Sequence, residues 1–352
     1  MFATERSHKM SNMRPVAVGI AGLGRSGWKI HAMLLESQPH LYTISAVFDN
    51  LADRRQEASD RFGCATYADY DSMLQDEQVE LVVVALPSHL HAEYSVRALQ
   101  AGKMVVCEKP MAASLAEADL MIEAARDSGR LLSVFQNRRY APDFLTVRRV
   151  VDSGILGRIV LIRIAYHAFG RRWDWQTLQR FGGGTLNNTC PHPVDQALLL
   201  FGDGEPDVFC IRDRVLSLGD ADDHVKIVLH GPGAPTIEVE VTAACAYPQD
   251  SWLVMGSKGG LSGSSERLSW RYCDFEVQDE RRLDTRPTPD RSYNRDSIEW
   301  QEETWVNQQA GTEWSVGYYL DLCSAIRNNT RAPVTPESAR RQMRVFDECR
   351  RA

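Results

Sequence analysis

Long apolar runs are missing from this 352-residue sequence. Stretches such as Leu81–Leu86 fall far short of the roughly 20 residues that a membrane-crossing helix needs, so no membrane partner is expected. The eight cysteines are Cys64, Cys107, Cys190, Cys210, Cys245, Cys273, Cys323 and Cys349; none is spaced C-x-x-C and none falls in a Cys/His metal pattern. No metal site is therefore expected, and free thiols in apolar strands point to a reducing, cytoplasmic setting. An excess of positive charge is absent too. The 40 Lys and Arg against 47 Asp and Glu leave a net charge of -7, which speaks against nucleic acid as the partner. The first 13 residues, MFATERSHKMSNM, lack the apolar core of a secretory signal and read as a disordered tail, with Met10 or Met13 as alternative starts. Repeats and low-complexity tracts are lacking as well. The length itself suggests two domains.

What is present begins at Val16–Ala21, an apolar run that reads as a buried strand. Gly22, Leu23, Gly24, Arg25, Ser26 and Gly27 follow as G-x-G-x-x-G, and a helical pattern runs from Trp28 to Ser37. Strand, glycine turn and helix in that order form a dinucleotide-binding turn. The helix start offers unpaired N–H groups to phosphates. Further strands are expected at Thr43–Phe48, Leu81–Ala85, Met104–Cys107 and Leu131–Phe135. Helices are expected at Leu51–Phe62, His89–Gln100 and Leu115–Ser128. Ser114 with Glu117 makes a capping box, and Gly102 and Gly129 sit where helices end. This alternation implies a parallel sheet covered on both faces, over about residues 14–135.

Loops at the carboxyl ends of these strands face the ligand crevice. Asp49, with Asn50 beside it, ends the second strand where an acidic residue accepts hydrogen bonds from a ribose; Asp49 can equally cap the next helix. NAD is expected, with Arg54 and Arg55 leaving NADP open. Leu86 and Pro87 are placed against the dinucleotide, and His91 near the crevice. Glu108-Lys109-Pro110 follows the next apolar strand. Lys109 there can hydrogen-bond a substrate hydroxyl, and burial can bring its pKa into a useful range.

The second half, residues 136–352, reads differently. A helix is expected at Asp143–Asp152, then strands at Arg158–Phe169, Val208–Leu218, His224–Leu229, Thr236–Ala246, Trp252–Gly256 and Leu268–Cys273. Their alternation fits a sheet with one exposed face, a common dimerisation surface. Residues 275–312 read as a long loop, before helices at Trp314–Asn328 and from Pro336 to Arg351. The run GGGTLNNTCPHPVD at 182–195 places Asn188 and His192 at i and i+4, although Pro191 and Pro193 disturb a regular helix. His192 suits general acid/base work at a substrate hydroxyl, with Asp195 orienting the imidazole. Arg172 and Trp173, in the charged and aromatic segment 171–175, suit sugar binding.

Taken together, the glycine turn, Glu108-Lys109-Pro110 and the 182–195 run resemble those of the Gfo/Idh/MocA oxidoreductases, over nearly the whole chain from Val16 to Arg351. The resemblance implies an α/β protein: a Rossmann dinucleotide-binding domain, then an α/β domain with a large, open-faced, mainly antiparallel sheet. It further implies NAD(P), sugar-like or cyclitol substrates, and dimers or tetramers built through those sheets. Lys109 matches the family's lysine and His192 its catalytic histidine, with Asn188 standing where an Asp is usual and Cys190 where a Gly is usual. Gln136–Tyr140 resembles a segment touching cofactor and substrate, which assigns Asn137 to the cofactor and Arg138 to the substrate. The expected activity is hydride transfer between a secondary alcohol and nicotinamide. Redox-neutral glycoside cleavage through a keto-sugar, or a non-catalytic sugar sensor, are the alternatives.

Overall fold

The structure, a computed structural model, describes residues 14–275, 282–288, 290–308, 311 and 313–351. The expected tail at 1–13 lies outside them. Six strands form the first sheet: β1 (Val16–Ala21), β2 (Tyr42–Phe48), β3 (Ala65–Tyr67), β4 (Leu81–Val84), β5 (Met104–Cys107) and β6 (Leu132–Val134). Their order is β3-β2-β1-β4-β5-β6 and every pairing is parallel. β1 and β4 are buried along their whole length, as continuous apolar runs in a helix-covered parallel sheet should be. The strand order reverses at β1, so a crevice opens at its carboxyl end, between β1 and β4. Ser114 caps the helix as expected: its Oγ accepts from the Glu117 N–H (3.2 Å), while the Glu117 carboxylate accepts from the Ala113 N–H (2.9 Å), one residue before the cap. Gly129 closes that helix in the left-handed conformation.

The second sheet has eight strands: β7 (Ile159–His167), β8 (Asp207–Asp213), β9 (His224–His230), β10 (Thr236–Thr242), β11 (Trp252–Gly256), β12 (Gly259–Gly263), β13 (Arg267–Tyr272) and β14 (Gln301–Val306). The order is β14-β13-β12-β11-β7-β10-β9-β8, antiparallel except for β7 with β10. Ile162, Ile164, Ile227, Val239 and Val254 point to the helix-covered side and are buried, while Phe209, Ile211 and Met255 stay exposed. Two expectations are corrected here. The segment 275–312 is not all loop, because its polar residues Gln301–Val306 pair along β13 as an edge strand. The strand expected at Val208–Leu218 stops at Asp213. The Asp223 carboxylate accepts from the N–H groups of Val215, Leu216 and Ser217 (2.6–2.9 Å), which turns that segment away from the ladder.

The last two helices return to the first sheet. Val316–Asn328 places Tyr318 and Tyr319 in a buried aromatic cluster with Phe135, Tyr42 and His31. Tyr42 Oη donates to the Tyr319 carbonyl (2.7 Å), and Tyr318 Oη to Ser133 Oγ (2.8 Å). These contacts seat the helix Val316–Asn328 on the first sheet.

Candidate functional site

The glycine turn shows why each glycine is there. Gly22 has φ +94°, and a Cβ on it would lie 2.7 Å from the Ala85 carbonyl oxygen. A Cβ on Gly27 would fall 1.8 Å from the Gly22 oxygen, whereas one on Gly24 would meet nothing within 4 Å. Gly24 thus faces open space in a cleft of about 730 Å³, which Gly22, Arg25 and Ser26 also line. The opposite walls carry Asp49, Asn50 and Arg54 on one side, and Leu86, Pro87 and His91 on the other. Leu23 is buried instead; its N–H donates to Asp49 Oδ2 (2.8 Å). Asp49 Oδ1 accepts from the Leu51 N–H (2.9 Å), and Arg54 lies 3.4 Å from Oδ2. The carboxylate therefore braces the glycine turn and starts the next helix while facing the cleft.

His91 is fully buried, with Nδ1 2.7 Å from the Pro110 carbonyl and Nε2 2.8 Å from the Leu86 carbonyl. It ties together the loops that follow β4 and β5. Burial pushes its pKa down, against the pull of the two carbonyls. Glu108 Oε2 accepts from the Lys109 N–H (2.9 Å) and Oε1 lies 3.1 Å from His31 Nε2, whose Nδ1 meets Tyr319 Oη at 2.6 Å. Burial alone would raise the Glu108 pKa, but His31 and Lys109 outweigh it and hold the carboxyl at about 2. The Lys109–Pro110 peptide bond is cis. Lys109 Nζ reaches across to the other domain and donates to the Asn188 carbonyl oxygen (2.8 Å). Burial lowers its pKa, Arg25 and Arg138 lower it further, and Glu108 opposes them.

A second cavity, about 480 Å³, adjoins the cleft; Arg172, Gln176 and Asn188 line both. Its size suits a small ligand. Arg138 lines it with its guanidinium between the faces of Tyr166 (5.9 Å) and Trp314 (5.7 Å). Arg172 is pinned by Asp174 (2.9 Å) and Gln176 (2.6 Å). Trp173 is 76 % exposed and is on neither wall, and Asn137 turns its amide to Ser315 Oγ (3.1 Å) away from both. Asn188 and His192 do not share one helix: Thr185–Asn188 and Pro191–Phe201 are separate, with Pro191 opening the second. Asp195 does not orient the imidazole. Its carboxylate pairs bidentately with Arg139 (2.6 and 2.7 Å). His192 is half-buried, beside Asn188 and close to Lys109 and Arg138, and its Nδ1 is buried without a partner among the described residues. Burial and the charges of Lys109 and Arg138 push its pKa well below the usual value, so the imidazole is neutral near pH 7.

Polar residues of the second cavity that the sequence did not single out include His167, Gln176, Asp222 and Asp223. They come from unrelated strands and loops, and each resembles an ordinary exposed residue until the fold gathers them. Among the described residues, no three His, Cys, Asp or Glu side chains gather to hold a metal ion, and no helix is long and apolar enough to cross a membrane.

Comparison with known proteins places the two domains in a family. Residues 16–136 match the oxidoreductase family with an NAD-binding Rossmann fold, GFO/IDH/MocA, and residues 144–262 match the GFO/IDH/MocA C-terminal domain. An uncharacterized oxidoreductase of Schizosaccharomyces pombe is 34% identical over 62% of this chain and 61% of its own. The scyllo-inositol 2-dehydrogenase (NADP(+)) IolW of Bacillus subtilis is 36% identical over 53% of this chain and 52% of its own. The matched segments thus span about half to three fifths of these relatives' length. Among solved structures, the oxidoreductase yvaA of Bacillus subtilis superposes with a TM-score of 0.82 at 22% identity, over 97% of both chains. Levoglucosan dehydrogenase, in complex with NADH and levoglucosan, gives 0.79 at 20% identity over 96% of both. Two domain matches in tandem, on the sheets that build the two cavities, establish that the chain belongs to the GFO/IDH/MocA oxidoreductase family and that its first domain is the family's NAD-binding Rossmann fold.

Proposed function

We propose that the protein is an NAD(P)-dependent oxidoreductase that moves a hydride between a secondary alcohol carbon of a sugar, sugar derivative or cyclitol and the nicotinamide ring. The observation that carries this reading is the bond from Lys109 Nζ to the Asn188 oxygen, made where the dinucleotide cleft meets the second cavity. The open face of Gly24, with Arg25, Ser26 and Asp49 around it, fits a dinucleotide's phosphates and ribose. NAD, when bound, accepts or returns the hydride. Asp49 favours NAD, and the exposed Arg54 beside it leaves room for NADP.

The chain's own groups then divide the rest. Lys109 Nζ, in a setting that disfavours its charge, donates to the substrate oxygen and stabilises it as negative charge develops. His192, neutral at physiological pH, takes the hydroxyl proton during oxidation and returns it during reduction. The Asn188 amide can hydrogen-bond a hydroxyl but cannot accept its proton. Arg138 and Arg172 present donors to the remaining oxygens of the ligand. A cyclitol or anhydrosugar is consistent with the names of IolW and levoglucosan dehydrogenase. A cytoplasmic location and a homodimer or homotetramer belong to the same reading.

A panel of sugars, sugar acids and cyclitols with NAD and NADP, followed at 340 nm, tests it. At least one neutral polyol should reduce the cofactor, and Lys109→Ala should lower kcat/KM by about 10²- to 10⁴-fold while cofactor affinity stays within a few-fold. Glycoside consumption without net NADH would instead point to redox-neutral cleavage.

A further inference from the structure

We propose that Asp222 is a specificity-determining residue: its Oδ2 accepts a hydrogen bond from a hydroxyl of the ligand in the second cavity, at a position fixed relative to Lys109. The inference rests on the polyol oxidoreductase reading above.

Three carboxylates lie on the walls of that cavity. Asp143 is 8 % exposed and accepts from Trp252 Nε1 (2.9 Å), and Asp223 is 4 % exposed and is taken up by three backbone N–H groups. Asp222 is the least buried of the three and keeps 13 % of its side chain exposed. Its Oδ1 accepts from the Leu186 N–H (2.9 Å). Its Oδ2 makes no hydrogen bond among the described residues, the nearest cation being Arg212 Nη1 at 3.8 Å. One oxygen is thus anchored by a backbone N–H, and the other has only a long ion pair with Arg212, which leaves it able to accept from a ligand hydroxyl.

The anchoring is what makes the placement useful. The Asp222 backbone carbonyl accepts from the Thr185 N–H (2.9 Å), so Asp222 holds the Thr185–Asn188 turn by two bonds. The far end of that turn, the Asn188 carbonyl, receives Lys109 Nζ. Gly184 permits the approach: a Cβ there would come within 3.0 Å of Oδ2. Carboxylate and lysine are therefore joined through one short hydrogen-bonded turn, with little freedom to drift apart. A ligand that spans the junction of the two cavities at Asn188 can place one hydroxyl at Lys109, on the cleft wall, and another on Asp222, in the second cavity. Partial burial raises the Asp222 pKa, and the N–H bonds and Arg212 oppose that rise. A carboxylate acceptor selects hydroxyl donors and repels carboxylates, so the ligand class this favours is the neutral polyol over the sugar acid.

The test measures ligand affinity by calorimetry on NAD-bound protein, beside cofactor reduction at 340 nm, for a neutral polyol and its single-deoxy analogues. Wild-type protein should bind one deoxy analogue about 10- to 100-fold more weakly than the parent. Asp222→Asn, which keeps an oxygen for the Leu186 N–H, should raise the parent's dissociation constant and KM by a similar factor, change kcat less, and abolish that discrimination. Should this variant not fold, Asp222→Ser retains an anchoring oxygen and carries the same expectation. Unchanged affinity and unchanged discrimination in the variant would overturn the assignment, as would a fall in kcat alone. Asp222-dependent polyol binding without cofactor reduction would contradict hydride transfer and uphold the Asp222 assignment. Cofactor reduction with Asp222-independent affinity would do the reverse, and no polyol binding at all would contradict both.

Discussion

Lys109 and His192 occupy settings that lower their affinity for protons, and for His192 this has a measurable consequence. A base of ordinary histidine pKa is half protonated near pH 6.5. His192 lies well below that, because burial and two nearby cations disfavour its imidazolium form. The acidic limb of kcat/KM for alcohol oxidation should accordingly fall below pH 6.5 and should disappear, with most of the rate, in His192→Ala. An acidic limb centred at 6.5 or above in the wild type would show the imidazole to be solvated. Asp195 belongs to a separate device. Its pair with Arg139 is buried, with 3 % and 14 % of the two side chains exposed, so removing one partner strands a charge. Asp195→Ala should lose about 3–5 kcal/mol of stability by denaturant titration while leaving the acidic limb where it was. A displaced limb at full stability would instead return Asp195 to the proton chemistry.

The glycine turn offers the sharpest contrast between neighbouring positions of one element. Gly27→Ala drives a methyl against the Gly22 carbonyl, so it should either fail to fold or melt far below the wild type. Gly24→Ala meets open space, so it should keep the wild-type melting temperature and lose dinucleotide affinity, as read by calorimetry. Equal melting losses in both would mean that the turn is built otherwise. The same element shows how much the sequence disclosed. Strand, turn and helix were legible because apolar burial and glycine geometry leave local marks. β1, β2, β4 and β5 were legible for the same reason. β3, β12 and β14 were not, since a short exposed strand, a glycine-bearing one and a polar edge strand carry no alternation. Asp223 cut short the strand expected through Leu218 by a contact that no local pattern encodes. Lys109 and Asn188 could be marked from motifs, but their meeting depends on a closure across 79 positions. Asp222 left no local signal at all, because its importance lies in what the fold places around it.

At the scale of the whole molecule, two sheets of opposite character divide the labour. The parallel sheet buries its central strands on both faces and presents its crevice; the second covers one face with helices and leaves the other open. Phe209, Ile211 and Met255 stand on that open face at 57 %, 47 % and 45 % exposure. Apolar side chains there fit a second copy of the chain. Light scattering at micromolar concentration should give a dimer or tetramer mass, and Phe209→Lys with Ile211→Lys should shift it toward monomer; a monomeric wild type would contradict this use of the face. The aromatic seam of Phe135, Tyr318 and Tyr319 holds the helix Val316–Asn328 against the first sheet.

The placement of Lys109 against Asn188, where the two cavities meet, is the centre of the account, and single-turnover absorbance at 340 nm tests it most directly. Wild-type protein mixed with NAD and a neutral polyol should form NADH in proportion to enzyme, and Lys109→Ala, with its cofactor still bound, should do so at least about 100-fold more slowly. NADH formation at the wild-type rate in Lys109→Ala would contradict the account.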